Sequence, residues 1–142
     1  MRVQAREYAE ALVTLDPSKE AAIISFADVV FSDENSPSDD FERIASLAGR
    51  IENDDAVSTV AFVYRARALV KLGLDDGALE VLKIAARRKK DRPADIVNMV
   101  EYERGEILAR KGKAAEARKI FERIFATNPN YEDVREKLKS KL

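Results

Sequence analysis

The sequence predicts an all-α protein built from antiparallel helical hairpins, and three observations support this. The chain of 142 residues is rich in Ala, Leu, Ile, Glu, Lys and Arg, and only five Gly and four Pro interrupt it, which favours helix. Apolar residues recur at spacings of three and four, without the alternation that is typical of strands. The connections between the candidate helices are short, as they are in stacks of antiparallel helices.

Residues 1–56 contain three predicted helices. The first is Arg2–Leu15, the second is Ser18–Phe31, and the third carries an apolar stripe from Phe41 to Ile51. Asp16-Pro17 separates the first two. Pro cannot continue the first helix, but it is tolerated in the first turn of the second. The polar loop between the second and third contains Ser38, which we expect to cap the third helix. This region is a set of N-terminal helices that extends or caps the remainder, as a divergent repeat.

Residues 57–142 are more regular and contain five predicted helices. They are Val57–Leu72, Asp75–Lys90, Pro93–Lys111, Ala114–Thr127 and Tyr131–Leu142. Gly73 and Gly112 are expected at helix C-termini, where a left-handed residue is needed. Asn130 and Asp133 are expected to cap the last helix. The whole chain is thus predicted to be one domain of seven or eight helices.

An internal repeat becomes visible when the chain is shifted by 39 residues. The matched pairs are Arg65 and Arg104, Ala66 and Gly105, Leu69 and Leu108, Lys71 and Arg110, Gly73 and Gly112, Ala78 and Ala117, Val81 and Ile120, and Leu82 and Phe121. A repeat of this length is typical of stacked supersecondary units. We expect the small residues to lie where the two helices of a hairpin cross, and the large ones to fill the space between hairpins.

These positions resemble the tetratricopeptide repeat (TPR) family, most clearly over residues 59–131. The unit at 93–131 carries Gly105, Leu108, Gly112, Ala117, Phe121 and Pro129, and the unit at 57–92 carries Phe62, Ala66, Leu69, Gly73, Ala78, Leu82 and Ala85. The resemblance implies a short right-handed solenoid, with residues 132–142 as a capping helix. The period of 39 exceeds the 34 of the family, and the additional residues fall around 89–97.

Three charged residues depart from the family pattern. Arg65 and Arg104 stand where the family usually has Leu, and Glu101 replaces the large apolar residue that Phe62 supplies in the other unit. A guanidinium at such a position needs a carboxylate or carbonyl partner. We therefore expect a structural ion-pair ladder, with Glu101 among the candidate partners, in preference to ligand binding.

The resemblance also implies a concave face that binds a peptide or helix of another protein. The predicted protein-binding residues are Tyr64, Arg67, Lys71, Met99, Tyr102, Glu103, Glu106 and Arg110. Val60 and Val63 belong to the same expected stripe. Tyr and Arg are suited to such contacts because they bury a large area and keep a hydrogen-bonding end. The alternative is that the Tyr and Met side chains pack against neighbouring helices while the charges pair across them.

Composition argues against catalysis. The chain has no Cys and no His, which excludes thiol chemistry, imidazole metal ligands and the Ser-His-Asp triad. The five Gly are scattered and form no phosphate-binding loop. The acidic loop 32–40 lacks the ligand order of a calcium-binding EF-hand. We predict a non-enzymatic protein with no catalytic residues, no cofactor and no metal.

The expected partner is a protein, neither nucleic acid nor membrane. The net charge is −1, which gives no overall attraction to polyanions. The basic run 87–92 has no interleaved aromatic residue, and charge runs usually solvate a helix face. No apolar run is long enough to span a bilayer, and no signal peptide is recognisable. A cytoplasmic adaptor or scaffold is the simplest interpretation.

Two other functions remain open at the level of sequence. The chain is alternatively a self-associating subunit, a homodimer for instance, with Ile24, Phe31 or Phe41 at a symmetric interface. It is otherwise a regulator that occludes an enzyme or a transcription factor. The sequence does not distinguish a regulator from an adaptor.

Overall fold

The computed structural model describes residues 2–140, with side chains from residue 4 onward. Within this range it contains eight α-helices and no strand, as predicted. They are α1 Arg2–Leu15, α2 Glu20–Ser32, α3 Ser38–Ala48, α4 Ala56–Lys71, α5 Asp75–Ala85, α6 Ala94–Arg110, α7 Ala114–Thr127 and α8 Val134–Lys139.

Two helices are much shorter than predicted. α5 ends at Ala85 and continues as a 3₁₀ segment, Ala86–Asp91, in which Arg88 has a non-helical backbone (φ −111°, ψ 39°). The change of helix type is explained by Arg92, the residue after this segment. Its Nε donates a hydrogen bond to Oγ1 of buried Thr59 at 2.8 Å. This bond draws the segment onto the start of α4. The last helix is Val134–Lys139, and residues 141 and 142 of its predicted span lie outside the described residues.

The three predicted caps are wrong. Asn130 lies four residues before the first residue of α8, and its side chain accepts a hydrogen bond from the Arg135 side chain at 3.3 Å instead. Ser38 is the first residue of α3 and makes no cap, because Pro37 holds the extended backbone at the N-cap. Asp133 precedes α8 but forms no side-chain cap there, since its carboxylate accepts a hydrogen bond from Tyr102 of α6. A cap that the sequence prediction missed is Asp55, whose carboxylate accepts from the backbone N–H of Ser58 at 2.8 Å.

Neighbouring helices pack in pairs along the whole chain. Each helix contacts the next one, and in addition α2 contacts α4 and α4 contacts α6. The even-numbered helices α2, α4 and α6 therefore lie side by side in one layer. Short connections bring each odd-numbered helix back against this layer.

Helix α4 lies at the centre of the molecule and contacts α2, α3, α5 and α6. Small residues on several of its sides allow this, since Ala61, Ala66 and Ala68 are all buried. Val63 is also fully buried, so its prediction as an exposed stripe residue is wrong. A helix that packs against four neighbours buries residues on several of its sides, so it lacks the single apolar face from which exposure is predicted.

The small residues of the repeat lie at close helix contacts, as predicted. Ala66, Ala78 and Ala117 are at most 1% exposed. A Cβ added to Gly105 of α6 would lie 2.7 Å from a ring carbon of Phe121 on α7. The fully buried Phe121 ring thus occupies the space that the missing side chain leaves.

Both predicted left-handed glycines end helices. Gly73 has φ +78° and Gly112 has φ +81°. After each of them a backbone N–H bonds back to the preceding helix, Leu74 to the Leu69 carbonyl (2.8 Å) and Lys113 to the Leu108 carbonyl (2.9 Å). This six-to-one bond is that of a Schellman motif, and it reverses the chain at the same place in both hairpins.

Helix α1 is attached to α3 by ion pairs over the Phe26 ring of α2. Arg6 donates to both carboxylate oxygens of buried Asp40, each at 2.7 Å, and Arg43 of α3 donates to Glu10 at 3.0 Å. Both guanidinium groups lie over the Phe26 ring, at 5.6 and 4.8 Å from its centre.

The apolar residues predicted for a symmetric interface do not form an exposed patch. Phe41 is only 8% exposed, and Ile24 and Phe31 are half-buried against the core. Tyr8 and Leu15 of α1 are instead the most exposed large apolar side chains of the described chain, at 70% and 85%.

The contact at Gly105 generates a stability prediction. Gly105→Ala is expected to lower the free energy of unfolding by about 1–3 kcal/mol, because the new methyl group overlaps Phe121. Gly77→Ala is the matched control, since its Cβ meets no atom closer than 3.9 Å and Ala favours helix by about 0.5–1 kcal/mol. Urea unfolding followed by circular dichroism measures both, and equal or increased stability of Gly105→Ala would contradict the close contact.

Candidate protein-binding face

The predicted binding residues lie on two helices that pack side by side. Tyr64, Arg67 and Lys71 lie on α4, and the remaining five lie on α6. We call the set Tyr64, Arg67, Lys71, Met99, Tyr102, Glu103, Glu106 and Arg110 the α4–α6 face. The two stripes adjoin because α4 contacts α6 directly.

The centre of the α4–α6 face is an ion pair between the two helices. Arg67 Nε donates to Glu103 Oε1 at 2.6 Å, and the guanidinium lies 5.2 Å from the centre of the Tyr64 ring. The two side chains are 33% and 16% exposed. Burial lowers the pKa of Arg67, but the neighbouring Glu103 carboxylate outweighs this and raises it. Arg67 therefore stays positively charged.

The α4 part of the α4–α6 face is tied to α2. The Tyr64 hydroxyl donates to the Asp28 carboxylate, and its ring packs 5.9 Å from Phe31. Burial of the phenol and its hydrogen bond to Asp28 raise the pKa of Tyr64 to about 12. Tyr64 is thus held in its neutral form, and its ring stays partly exposed.

The α6 part is tied to the C-terminal segment. Tyr102 packs against Phe121 and Tyr131 with ring centres 5.9 Å apart, and its hydroxyl donates to Asp133. Burial and the Asp133 hydrogen bond raise the pKa of Tyr102. Burial, followed by the negative charge of Glu132, raises that of Tyr131 to about 12.

Two further charges at this end are also paired. Glu106 Oε1 lies 2.6 Å from Lys137 Nζ of α8, and this carboxylate raises the pKa of Lys137. Arg110 pairs with Asp75 of α5 at 3.2 Å, at the edge of the α4–α6 face.

The structure therefore combines features of both sequence interpretations. The side chains share one partly exposed face, yet most of them already contact neighbouring helices and pair with opposite charges. Lys71 differs, because it is exposed and has no ion-pair partner among the residues that the structure describes. Met99 is half-buried against the central core.

Four contributors to the α4–α6 face were not predicted from the sequence. They are Asp28 of α2 and, near the C-terminus, Tyr131, Asp133 and Lys137. The spacing of Asp133 and Lys137 is a local signal for a shared helix face. Asp28 carries no such signal, because its partner Tyr64 is 36 residues away.

The two repeated arginines have different environments. Arg104 pairs at 2.7 Å with Glu101, which is 4% exposed, and Lys89 of the 3₁₀ segment lies 2.7 Å from the other oxygen of that carboxylate. The ion pair predicted for Arg104 is thus present. The predicted ladder is wrong for Arg65, which forms no ion pair within the described chain. Its guanidinium lies beside Gly49 at the C-terminus of α3, where a cation is favoured by the helix dipole.

Much of the basic run 87–92 contacts the protein itself. Arg88 pairs with Asp91, Lys89 reaches buried Glu101, and Arg92 also donates to the backbone carbonyl of Asn53 at 3.2 Å. Three cations of the run are therefore engaged in folding the segment.

Comparisons with family models, with curated proteins and with solved structures find no match to this chain. Within residues 2–140, no helix combines the length and the apolar composition that a bilayer span requires.

The central ion pair can be measured by a double-mutant cycle. Arg67→Met and Glu103→Gln are expected to show a coupling of about 1 kcal/mol, since both groups are partly buried. The matched control is Arg118 with Glu122, which are 3.7 Å apart and about half exposed, and whose coupling is expected to be about 0.5 kcal/mol or less. Equal coupling in the two cycles would contradict a special role for the Arg67–Glu103 pair.

The tyrosines predict how stability changes at high pH. Because the pKa of Tyr64 is raised to about 12 in the folded chain and is about 10 when unfolded, the unfolded state loses its proton first. The contribution of the Tyr64 proton to the free energy of unfolding is fully present below pH 10 and is lost as the pH rises towards 12.

We expect Tyr64→Phe to lose less of its unfolding free energy between pH 10 and 12 than the wild type. Urea unfolding at several pH values measures this difference. Identical slopes for the two proteins would show that the Tyr64 proton is not linked to folding.

Proposed function

We propose that this chain is a non-catalytic protein-interaction module, a short TPR-like adaptor or scaffold, that holds a peptide or helix of another protein against the α4–α6 face. The observation that carries the proposal is the row of partly exposed rings Tyr64, Tyr102 and Tyr131, each held by contacts to a neighbouring segment. Tyr is enriched among residues that dominate binding energy.

Pre-organisation supports this proposal. The Arg67–Glu103 and Glu106–Lys137 pairs hold α4, α6 and α8 in register before any partner arrives. A surface that is already ordered loses little conformational entropy on binding. We also propose that the hairpins stack in a right-handed, TPR-like solenoid. Such stacking would place the α4–α6 face on the concave side.

The charges restrict the kind of contact that we propose. Arg67 is neutralised by Glu103, so a partner carboxylate would have to displace an existing ion pair. Lys71 is the cation of the α4–α6 face that an acidic partner residue would reach first. The remaining contacts would be apolar contacts and hydrogen bonds of the rings.

The test uses charge exchange at exposed positions of this region, because Tyr102 and Glu103 also support the fold. Lys71→Glu combined with Asp95→Lys keeps the net charge, and both residues are exposed. Asp95 lies in the first turn of α6, near enough to Tyr131 for its negative charge to contribute to the raised pKa of that tyrosine. The matched control is Lys119→Glu with Glu80→Lys, two exposed residues of α7 and α5 that form no ion pair in the described chain.

Partners are captured from the source cell with the wild-type chain and identified, and their affinity is then measured for each variant. The face variant is expected to bind about tenfold more weakly or worse, which corresponds to about 1.4 kcal/mol. Its melting temperature is expected to fall slightly, because both substitutions reverse a charge that suits a helix end, so binding is compared at a temperature at which circular dichroism shows every variant to be folded. The control is expected to bind as the wild type does. Equal binding by both variants would reject the α4–α6 face, and failure of the wild type to retain any protein would reject the adaptor function.

A further inference from the structure

A cleft of about 380 Å³ lies between the first half of α1 and the last turns of α2. Its walls include the small Ala5 of α1 and the half-buried Val29 of α2. Ala5 contributes only a methyl group to this wall, which leaves room beside it. Its size suits one or two large apolar side chains of a bound segment.

The edge of the cleft is acidic. Glu7, Asp28 and Asp33 line it, and none of the three forms an ion pair within the described part of the chain. Arg6 is the one cation among the described lining residues, and its guanidinium is already held by Asp40 at 2.7 Å and by Glu10 at 3.2 Å. Among the residues whose side chains the structure describes, the cleft thus combines apolar walls with carboxylates that form no ion pair.

The charge of the chain is divided in the same sense. Residues 1–55 carry five Lys and Arg against thirteen Asp and Glu, whereas residues 56–142 carry twenty against thirteen. The net charge of −1 therefore conceals an acidic part of −8 and a basic part of +7. An asymmetry of this size attracts partners of opposite charge to one end of the molecule.

The cleft adjoins the α4–α6 face. Asp28 lines the cleft and also accepts the hydrogen bond of the Tyr64 hydroxyl. Lys71 of the α4–α6 face lines a second hollow next to the cleft, and Asp33 lines both. A bound segment that crosses Tyr64 would therefore meet the acidic edge next.

We propose that the α1–α2 cleft binds a basic amphipathic segment of a partner protein, which inserts an apolar side chain between Ala5 and Val29 and places Lys or Arg side chains beside Glu7 and Asp28. This inference rests on the proposed function, because it specifies the chemistry of the protein that is bound. Complementary charge accelerates the encounter, and the apolar contact retains the segment.

The probe is a fluorescein-labelled peptide of Leu and Lys with an amphipathic helical pattern, and its counterpart has Glu in place of Lys. Fluorescence anisotropy with the full chain is expected to show binding of the Leu/Lys peptide at least about tenfold tighter than that of the Leu/Glu peptide. Binding should weaken as salt is raised. Equal affinity for the two peptides would overturn the proposal.

Two pairs of variants locate the site. Glu7→Gln with Asp33→Asn removes two charges at the cleft, and Glu42→Gln with Glu52→Gln removes two exposed charges of the same acidic part elsewhere. Ala5→Trp fills the cleft, and Ala11→Trp adds the same side chain at an exposed α1 position that does not line it. Only the cleft member of each pair is expected to weaken peptide binding, by about tenfold or more.

Three outcomes of these experiments would reject the cleft proposal. Equal weakening by cleft and control variants would show attraction by net charge alone and would overturn the proposal. A dimer seen by sedimentation at low salt, abolished by Glu7→Gln with Asp33→Asn, would make a second copy of this chain the occupant and would also overturn it. A captured partner that is lost by the Lys71 and Asp95 exchange but still binds all cleft variants would reject the cleft and leave the proposed function intact.

Discussion

The close approach of helices at small side chains is the constraint on which the rest of the structure depends. Ala61, Ala66 and Ala68 let α4 lie among four other helices, and Gly105 lets the Phe121 ring pack directly on the backbone of α6. Packing at this density tolerates no additional methyl group without movement of its neighbours. The same approach brings α4 and α6 near enough for Arg67 to reach Glu103.

The polar residues of the chain follow from this geometry. Once α2, α4 and α6 lie side by side, the outward side chains of neighbouring helices contact one another. They form aromatic contacts and ion pairs instead of being solvated separately. Burial of Glu101 is tolerable because Arg104 and Lys89 both approach its carboxylate, and an unpaired buried charge would be strongly destabilising. The longer connection between α5 and α6 supplies Lys89, so the departure from a regular repeat and the charge at Glu101 have a common explanation.

The acidic and basic parts of the chain make the charge of the molecule asymmetric. Helix α1 is attached through Arg6 and Asp40 within the acidic part, while the pairs at α8 involve Lys137 in the basic part. Cleft and rings together would present one extended surface whose chemistry changes along its length. A segment bound there would therefore be oriented by charge as well as by shape.

The sequence by itself determined the all-α class, the order of the helices and the chain reversals at Gly73 and Gly112, because these depend on local backbone preference and on periodic apolar spacing. It also determined the small residues at helix contacts, since the repeat marks them. Only the tertiary structure decided the burial of Val63, the Asp133 contact with Tyr102 in place of a cap, and the pairing of Tyr64 with Asp28. Each of these depends on which helices become neighbours, and contacts between residues more than 30 positions apart leave no local pattern in the sequence.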